Sequence, residues 1–356
     1  MRMACQFGVM VLGISCCVLD AARGEDRSPV SPMGERVLDY CPLPPQGTVA
    51  FRPAENEADV PPHFQLAEHE FDFTTKALRK ANRVRACQVT FPSPVTTAVT
   101  ENNTVHGVYF QPAGDGPFPA CVVLHILGGD FLLAEAVANH LASSGVAALF
   151  MKMPYYGERR GRGSRRRMIT EDPHETADGM TQAVLDIRRA SAWLASREEV
   201  DANRLGITGI SLGGIMSALG AAGEPRLRNV GIVLGGGNFA DVIWNNDALQ
   251  AKGFREKWLA MGGTKDSFSA ALRKVDPVTY GGLLKGRRVL MIAASKDEIV
   301  LPECARALHD SIGGEPELVW LDAGHYTAAQ YLPRELTRLS RFFTTNNTTP
   351  SARTAP

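Results

Sequence analysis

The chain has 356 residues, of which 44% are hydrophobic and 21% charged, an ordinary balance for a globular protein that can bury a full core. Its 38 basic and 38 acidic residues cancel, which argues against a broadly basic nucleic-acid binder and against an acidic disordered tail. Seven cysteines are too few for a disulfide scaffold.

The N-terminal segment Met1–Gly24 is predicted to be a signal peptide. Arg2 supplies the positive start, and the uncharged, mostly apolar run Phe7–Leu19 is shorter than the ~20 residues that span a membrane. We therefore expect a secreted or periplasmic protein. The alternatives are an uncleaved anchor, a misassigned start, or a lipid-anchored form acylated at Cys16 or Cys17.

Export would place the remaining cysteines in an oxidising compartment. These are Cys41, Cys87, Cys121 and Cys304. A disulfide is possible there, although the sequence does not assign a pair. Cys121 lies in a strand-like run and is expected to be a small core residue.

Residues 25–85 are predicted to form an N-terminal extension. The stretch Arg27–Pro62 is rich in proline and is expected to be an extended arm. The stretch Phe64–Arg83 has apolar residues at helix-like spacing.

From residue 86 to residue 343, strand-like and helix-like runs alternate. The predicted strands are Ala86–Phe91, Val105–Gln111, Ala120–Leu124, Val146–Met151, Leu205–Thr208, Val230–Leu234, Val289–Ala293 and Val319–Leu321. The predicted helices are Leu132–Ser144, Ala177–Arg197, Gly213–Ala222, Glu303–Ile312 and Ala328–Phe343. This alternation predicts an α/β fold with a mostly parallel sheet of about eight strands and helices on both faces.

Two segments stand outside this alternation. Residues 237–286 are long enough for a small helical cap over a site, or alternatively for peripheral helices packed on the body. Residues 344–356 are rich in threonine, asparagine and proline and are predicted to be a disordered tail.

The pentapeptide Gly209-Ile-Ser-Leu-Gly213 lies between a predicted strand and a predicted helix. This context is typical of a nucleophile elbow, whose sharp turn exposes a serine and requires small residues two positions before and after it. The N-terminus of the helix that follows favours negative charge developing nearby. Ser211 is therefore the predicted nucleophile; the alternative is a helix-capping serine in a glycine-rich turn.

A serine hydroxyl needs a base to take its proton, and the base needs an acid to orient it. Asp297 and His325 each follow one of the last two predicted strands, so they lie at the sheet edge where Ser211 is expected. We predict His325 as general base and then general acid, and Asp297 as the acid that fixes its tautomer. Glu298 and Asp322 are the alternative acids.

Acyl transfer also needs backbone donors for the oxyanion that develops on the carbonyl oxygen. The N–H of Leu212, directly after the nucleophile, is one predicted donor. The other is expected in the loop His125–Asp130, where Gly128 and Gly129 let the backbone approach a substrate. His125 either contacts the substrate or, alternatively, shapes this loop.

With these motifs the sequence resembles an α/β-hydrolase, and within that superfamily the dienelactone-hydrolase-like branch. The matching segments lie within about residues 104 to 343 and are Gln111–Ala120, His125–Gly128, Gly209–Gly214, Lys296–Pro302 and Gly324–His325. The resemblance implies that Ile126 supplies the second oxyanion donor. Dienelactone hydrolases carry cysteine in place of Ser211 and glutamate in place of His125, which argues against dienelactone as the substrate. What remains is a serine esterase on that scaffold, as in carbohydrate acetyl esterases and many bacterial carboxylesterases.

The segment after the fourth predicted strand is a candidate for substrate recognition. Tyr155 and Tyr156 could stack on a sugar or acyl group, and Arg159 could bind an anionic group. The arginine-rich stretch Gly161–Arg167 follows directly. The alternative for this stretch of charge is a solvated loop.

The sequence therefore predicts a serine hydrolase of carboxylic esters, acting on a small-molecule or carbohydrate ester. No catalytic metal is expected, because no metal-binding motif such as H-E-x-x-H is present. No cofactor, nucleic acid or obligatory membrane partner is expected either. The oligomeric state stays open. The alternatives are a peptidase or a lipid deacylase with the same triad, or an inert hydrolase-fold binding protein.

Overall fold

The computed structural model describes residues 43–78, 84–245, 249–314 and 316–345. The predicted signal peptide Met1–Gly24, most of the proline-rich arm, Cys41 and the chain beyond residue 345 lie outside these residues.

Among the described residues, ten strands form a single sheet. They are β1 Gln46–Phe51, β2 His69–Ala77, β3 Val84–Pro92, β4 Thr104–Pro112, β5 Phe118–Leu124, β6 Ala147–Met151, β7 Val200–Ile210, β8 Asn229–Val233, β9 Arg288–Ala294 and β10 Glu317–Leu321.

The α-helices of the described residues lie between these strands or after the last one. They are α1 Phe131–Ser143, α2 Pro173–Ala195, α3 Leu212–Gly223, α4 Phe239–Trp244, α5 Leu249–Ala260, α6 Lys265–Leu272, α7 Pro302–Ser311 and α8 Leu332–Thr344.

The strand order is β1-β2-β3-β4-β6-β5-β7-β8-β9-β10. The strands from β6 to β10 along this order are parallel, whereas β1 to β4 pair antiparallel and β4 pairs antiparallel with β6. The predicted α/β fold is confirmed, and its sheet is mixed, with the antiparallel strands at one side. The parallel strands direct their carboxyl ends to one edge, which is where ligands bind in such sheets.

The sheet has two strands more than the predicted eight, and both come from the predicted N-terminal extension. The helical prediction for Phe64–Arg83 is wrong over His69–Ala77, which forms β2. There Phe71 and Phe73 are buried while Glu70 and Asp72 are exposed, an alternation of period two that suits a half-buried strand. Pairing of β2 with both β1 and β3 overrides the weaker helix-like spacing of the longer segment.

Helices cover both faces of the sheet. Side chains of α2, α3 and α7 share one apolar cluster with the sheet, and side chains of α1 and α8 share another. Trp193 of α2 is fully buried and makes edge-on contacts with Phe73 of β2 and Tyr109 of β4. The extra N-terminal strands therefore share the same core as the rest of the sheet.

The segment 237–286 contains α4, α5 and α6 and then two short 3-10 helices. Phe268 and Leu272 of α6 are buried within the main apolar cluster. Lys274 pairs with Asp178 of α2 at 3.3 Å. This packing favours the alternative of peripheral helices on the body for α6 and the residues after it.

Within the described ranges, no helix is both long and apolar enough to cross a bilayer. Cys87 is disulfide-bonded. Cys121 and Cys304 are buried free thiols, and burial raises the pKa of both, that of Cys304 to about 12.

Candidate active site

Ser211 occupies the turn between strand β7 and helix α3. Its backbone angles are φ 58° and ψ −118°, a region that costs a non-glycine residue on the order of 1–3 kcal/mol. The turn is held because the Ser211 N–H donates to the carbonyl of Val233 at 2.9 Å. The predicted sharp turn is therefore present, with the serine held in a strained conformation.

The glycines on either side of Ser211 are required by close backbone approach. A Cβ atom on Gly209 would lie 2.5 Å from the carbonyl carbon of Gly213. A Cβ atom on Gly213 would lie 2.7 Å from the carbonyl oxygen of Leu124 and 2.9 Å from that of His125. Real Cβ atoms do not approach backbone this closely, so only glycine allows the elbow to pack against the end of β5.

His325 and Asp297 meet Ser211 at the carboxyl ends of the strands. His325 Nε2 lies 3.0 Å from Ser211 Oγ, and His325 Nδ1 lies 2.8 Å from Asp297 Oδ2. Asp297 is buried, and its Oδ1 atom accepts hydrogen bonds from the N–H groups of Ile299 and Val300 at 2.9 and 2.8 Å. These two donors fix the carboxylate, so it orients the imidazole ring with Nε2 directed at the serine.

The two alternative acids occupy other positions. Glu298 Oε2 accepts the backbone N–H of His325 at 3.0 Å and so contacts the main chain of the histidine, not its ring. Asp322 is exposed and pairs with Lys296 at 2.7 Å; this neighbour lowers the pKa of Asp322. Of the three carboxylates considered from the sequence, the structure brings Asp297 onto the His325 ring.

One predicted oxyanion donor, Leu212, directly follows Ser211, and the other, Ile126, lies in a loop that borders the elbow. Leu212 is the first residue of α3, so its N–H has no partner within the helix. Ile126 follows β5 in the loop whose first carbonyl, that of His125, borders Gly213. In the described part of the chain, the N–H groups of Leu212 and Ile126 donate no hydrogen bond outside regular helices and strands.

His125, a predicted substrate contact, is buried within the protein. It is 1% exposed, its Nδ1 lies 2.8 Å from the carbonyl oxygen of Ile126, and its Nε2 accepts the N–H of Met153 at 3.1 Å. A carbonyl only accepts and an N–H only donates, so the ring is the neutral Nδ1–H tautomer. Burial lowers the pKa of His125 to about 4, which keeps it neutral. Both ring nitrogens are used, so the substrate-contact prediction is corrected in favour of loop shaping.

Arg159 and Tyr155 are also directed into the protein and not toward a substrate. Arg159 is fully buried and pairs with buried Asp186 at 2.8 Å. The buried Tyr155 has φ 64°, and the guanidinium of Arg166 lies 4.9 Å from the centre of its ring. The substrate-binding prediction for these two residues is therefore corrected, because each has its partners inside the fold.

Tyr156 is half-buried, and its hydroxyl donates to the carbonyl of Leu127 at 2.8 Å. Its ring meets the His125 ring edge-on at 4.5 Å between centroids. Burial raises the pKa of Tyr156. Tyr156 therefore lies against the loop that carries Ile126, and its hydroxyl is engaged by the main chain of that loop.

Some side chains of the arginine-rich stretch Gly161–Arg167 are solvated and others are paired. Arg162 and Arg165 are exposed, as the solvated-loop alternative expects. Arg166 pairs with Glu175 at 3.1 Å.

Two residues that hold Arg159 and Tyr155 in place could not be identified from the sequence. Asn102 lies in a polar turn that predicts only a loop, yet it is fully buried. Its carbonyl accepts from Arg159 and its side-chain oxygen accepts from the N–H of Tyr155. The partner of Arg159 is Asp186, which lies in the middle of α2 among apolar residues. A charged residue at such a position is the sequence signal that could have indicated a buried ion pair.

Two family models match this chain. The model described as alpha/beta hydrolase domain containing 18 matches residues 68–234, and the model described as prolyl oligopeptidase family matches residues 177–346. The first match contains β5, the loop after it and the elbow at Ser211. The second contains the elbow, Asp297 and His325.

Two curated relatives come from Mycobacterium tuberculosis strains H37Rv and CDC 1551, the uncharacterized proteins Rv2627c and MT2702. Each is 26% identical over 231 residues, which cover 64% of this chain and 54% of the relative. The chain thus spans about half the length of the curated relatives it matches.

Solved structures share the fold at low sequence identity. The acetyl xylan esterase from Paenibacillus sp. R4 is 21% identical with a TM-score of 0.58, covering 75% of this chain and 88% of that one. Acetyl xylan esterase 1 from Thermoanaerobacterium sp. JW/SL YS485 is 20% identical with a TM-score of 0.59, covering 76% and 87%. The Pyrococcus furiosus esterase Pf2001 is 16% identical with a TM-score of 0.50, covering 76% and 92%.

Proposed function

We propose that this chain, which belongs to the α/β-hydrolase superfamily, is a serine hydrolase that cleaves carboxylic esters through a covalent acyl-enzyme. One observation carries the proposal. A strained elbow serine, Ser211, has its Oγ atom 3.0 Å from His325 Nε2, and the same imidazole is held by the buried carboxylate of Asp297 at 2.8 Å. A serine, an imidazole and a carboxylate in this order form the arrangement that activates a serine hydroxyl.

In the acylation step, Ser211 Oγ attacks the ester carbonyl carbon while His325 Nε2 takes the hydroxyl proton. The carbonyl oxygen becomes an oxyanion, and the N–H groups of Leu212 and Ile126 stabilise it. The ester C–O bond then breaks, and the proton on His325 moves to the departing alkoxide. An alcohol leaves, and the acyl group stays on Ser211.

Deacylation repeats these steps with a water molecule as the nucleophile. His325 takes a proton from a water molecule as its oxygen attacks the acyl carbon, and the second oxyanion is held by the same two N–H groups. Collapse of this intermediate breaks the bond to Ser211 Oγ, which regains its proton from His325. A carboxylic acid leaves, and Asp297 stabilises the imidazolium in both steps.

Within this reaction we propose short-chain esters, including acetylated carbohydrates, as substrates. Acetyl xylan esterases share the fold, which makes acetylated xylan a reasonable candidate to test. The match to the prolyl oligopeptidase family over residues 177–346 favours peptides as a second candidate, since the same residues can cleave an amide.

We also propose that the protein is exported, with Met1–Gly24 as the signal peptide. The disulfide at Cys87 supports this, because disulfides form and persist in oxidising compartments. Expression of the full chain in its host, followed by N-terminal sequencing of the extracellular and periplasmic fractions, tests the proposal. A mature protein that starts near residue 25 is expected, and an intact cytoplasmic chain would contradict export.

Hydrolysis of matched ester and amide substrates tests the proposed function. We expect turnover of p-nitrophenyl acetate and butyrate, weaker turnover of long-chain esters, and no turnover by Ser211→Ala. Preferential cleavage of peptidyl p-nitroanilides would favour the peptidase, and preferential cleavage of long-chain esters the lipid deacylase. A properly folded wild type that hydrolyses none of them would support an inert binding protein instead.

A further inference from the structure

The loop that carries Ile126 is held by a neighbouring loop. Residues 125–129 are called the oxyanion loop here, and residues 152–159, which follow β6, the exit loop. The N–H of Met153 donates to His125 Nε2 at 3.1 Å, which joins the two loops. His125 Nδ1 donates to the carbonyl of Ile126 at 2.8 Å. A single buried side chain thus connects the exit loop to the main chain at Ile126.

Tyr156 makes a second connection between the two loops. Its hydroxyl donates to the carbonyl of Leu127 at 2.8 Å, one residue beyond Ile126. Its ring also packs against the oxyanion loop: a Cβ atom placed on Gly129 would lie 3.0 Å from the ring. The ring also contacts His125 edge-on. The two connecting side chains therefore support each other.

The exit loop is itself fixed by buried polar groups. Arg159 donates to the carbonyls of Lys152 and Asn102 at 3.0 and 2.9 Å and pairs with Asp186. The Asn102 side chain accepts the N–H of Tyr155, which holds that residue at its positive φ. Tyr156 follows directly, so these buried contacts hold the main chain from which its side chain reaches the oxyanion loop.

These bonds fix the peptide planes on the C-terminal side of the Ile126 N–H. The Ile126 carbonyl accepts both His125 Nδ1–H and the N–H of Gly129, at 2.8 and 3.0 Å. The Leu127 carbonyl accepts Tyr156. With its neighbouring peptide planes held, the Ile126 N–H keeps one direction before a substrate arrives, which is the condition for strong oxyanion stabilisation.

We propose that His125 and Tyr156 are positioning residues that aim the Ile126 N–H at the carbonyl oxygen of an ester bound to Ser211. The inference rests on the proposed serine hydrolase activity. Neither side chain touches the substrate; each acts through the main chain of the oxyanion loop.

Two pairs of variants test this role. Tyr156→Phe removes only the hydroxyl that Leu127 accepts. Its matched control is Tyr109→Phe, which removes an equally engaged tyrosine hydroxyl, bonded to Glu199 at 2.8 Å, from strand β4. His125→Ala removes both ring contacts, whereas His125→Asn keeps a donor that can reach the Ile126 carbonyl.

The readouts separate positioning from folding. Active sites are titrated with a fluorophosphonate, and kcat and KM for p-nitrophenyl acetate are expressed per titrated site. Inhibition by an alkylboronic acid, whose tetrahedral serine adduct places an oxygen in the oxyanion site, is measured in parallel. A loss of transition-state stabilisation lowers kcat and weakens the boronate, while KM stays nearly unchanged.

We expect Tyr156→Phe to lower kcat roughly tenfold and His125→Ala up to about a hundredfold, because small displacements of a catalytic donor cost this much. Boronate affinity falls in proportion, His125→Asn recovers part of the loss, and Tyr109→Phe keeps the wild-type kcat. Wild-type kcat and boronate affinity in Tyr156→Phe and His125→Ala would overturn the inference while leaving the hydrolase intact. A wild type that neither reacts with fluorophosphonate nor turns over esters would instead overturn the proposed function.

Discussion

The Glu298 carboxylate accepts the backbone N–H of His325 at 3.0 Å, while the adjacent carboxylate, Asp297, accepts the ring of the same histidine. Two neighbouring acids thus hold one residue by its main chain and by its side chain. A Cβ atom on Gly324 would lie 2.6 Å from Glu298 Oε2, so glycine before the histidine lets this contact form.

Because Asp297 contacts the ring of His325 and Glu298 contacts its main chain, substitutions of the two acids should affect catalysis unequally. Asp297→Asn is expected to lower kcat on the order of 10⁴-fold, because the amide no longer stabilises the imidazolium. Glu298→Gln, which keeps an acceptor oxygen for the His325 N–H, should stay near wild type, and Glu298→Ala should lose roughly tenfold. Steady-state kinetics on titrated sites measure all three. Equal losses in Glu298→Ala and Asp297→Asn would show that the acid has been misassigned.

The elbow glycines predict a large effect on stability. Gly209→Ala should lower the free energy of unfolding by roughly 3 kcal/mol, because its Cβ would meet the main chain of Gly213 at 2.5 Å and the backbone must shift. Gly253→Ala in helix α5 is the control, since its Cβ would meet nothing within 4 Å. That control should be neutral or stabilising by up to about 1 kcal/mol. Urea unfolding compares them, and a neutral Gly209→Ala would refute the described elbow.

The buried pair of Arg159 and Asp186 predicts a coupled loss of stability. Burial raises the pKa of Asp186, and Arg159 opposes that rise. Asp186→Ala should cost about 3–5 kcal/mol, because the guanidinium is left buried without its counter-charge. The double variant with Arg159→Met should cost less than the sum of the two single variants. Additive costs in thermal unfolding would mean that the two side chains do not interact.

The exposed pair of Lys296 and Asp322 serves as the control for that experiment. Both side chains are largely solvated, and surface pairs contribute little to stability. Lys296→Ala should therefore leave the free energy of unfolding close to that of the wild type.

His125 predicts a loss of stability in acid. Burial lowers its pKa from 6.5 to about 4, so between these values the unfolded chain binds a proton that the folded chain excludes. Its contribution is complete above pH 6.5 and is lost as the pH falls toward 4, amounting to about 3 kcal/mol. Urea unfolding at pH 7 and pH 4.5 measures it. His125→Asn should show a flatter pH dependence, and an unchanged one would contradict the buried neutral ring.

The fold and the position of the candidate triad at one edge of the sheet could be predicted from sequence for a common physical reason. Buried parallel strands are continuous apolar runs, and the residue after such a run lies at the ligand-binding edge. Ser211 and Asp297 follow strands of this kind, and His325 follows the shorter, half-buried strand β10, so the local pattern defines all three positions.

Other features depend on contacts that the local pattern does not contain. The sequence predicts a helix where strand β2 forms, because the period-two alternation of this segment is short. Pairing with β1 and β3 makes the segment a strand. The sequence predicts Arg159 and Tyr155 as substrate-recognition residues because they follow a strand that ends at the expected site. Their burial depends on Asp186, in the distant helix α2, and on Asn102.

Covalent labelling shows whether Ser211 is an activated nucleophile. Wild type and Ser211→Ala are incubated with a fluorophosphonate, and the intact mass of each is measured. We expect one adduct on the wild type, because His325 removes the serine proton and the oxyanion site accepts the phosphoryl oxygen, and none on Ser211→Ala. An unlabelled wild type, or an equal adduct on both proteins, would contradict it.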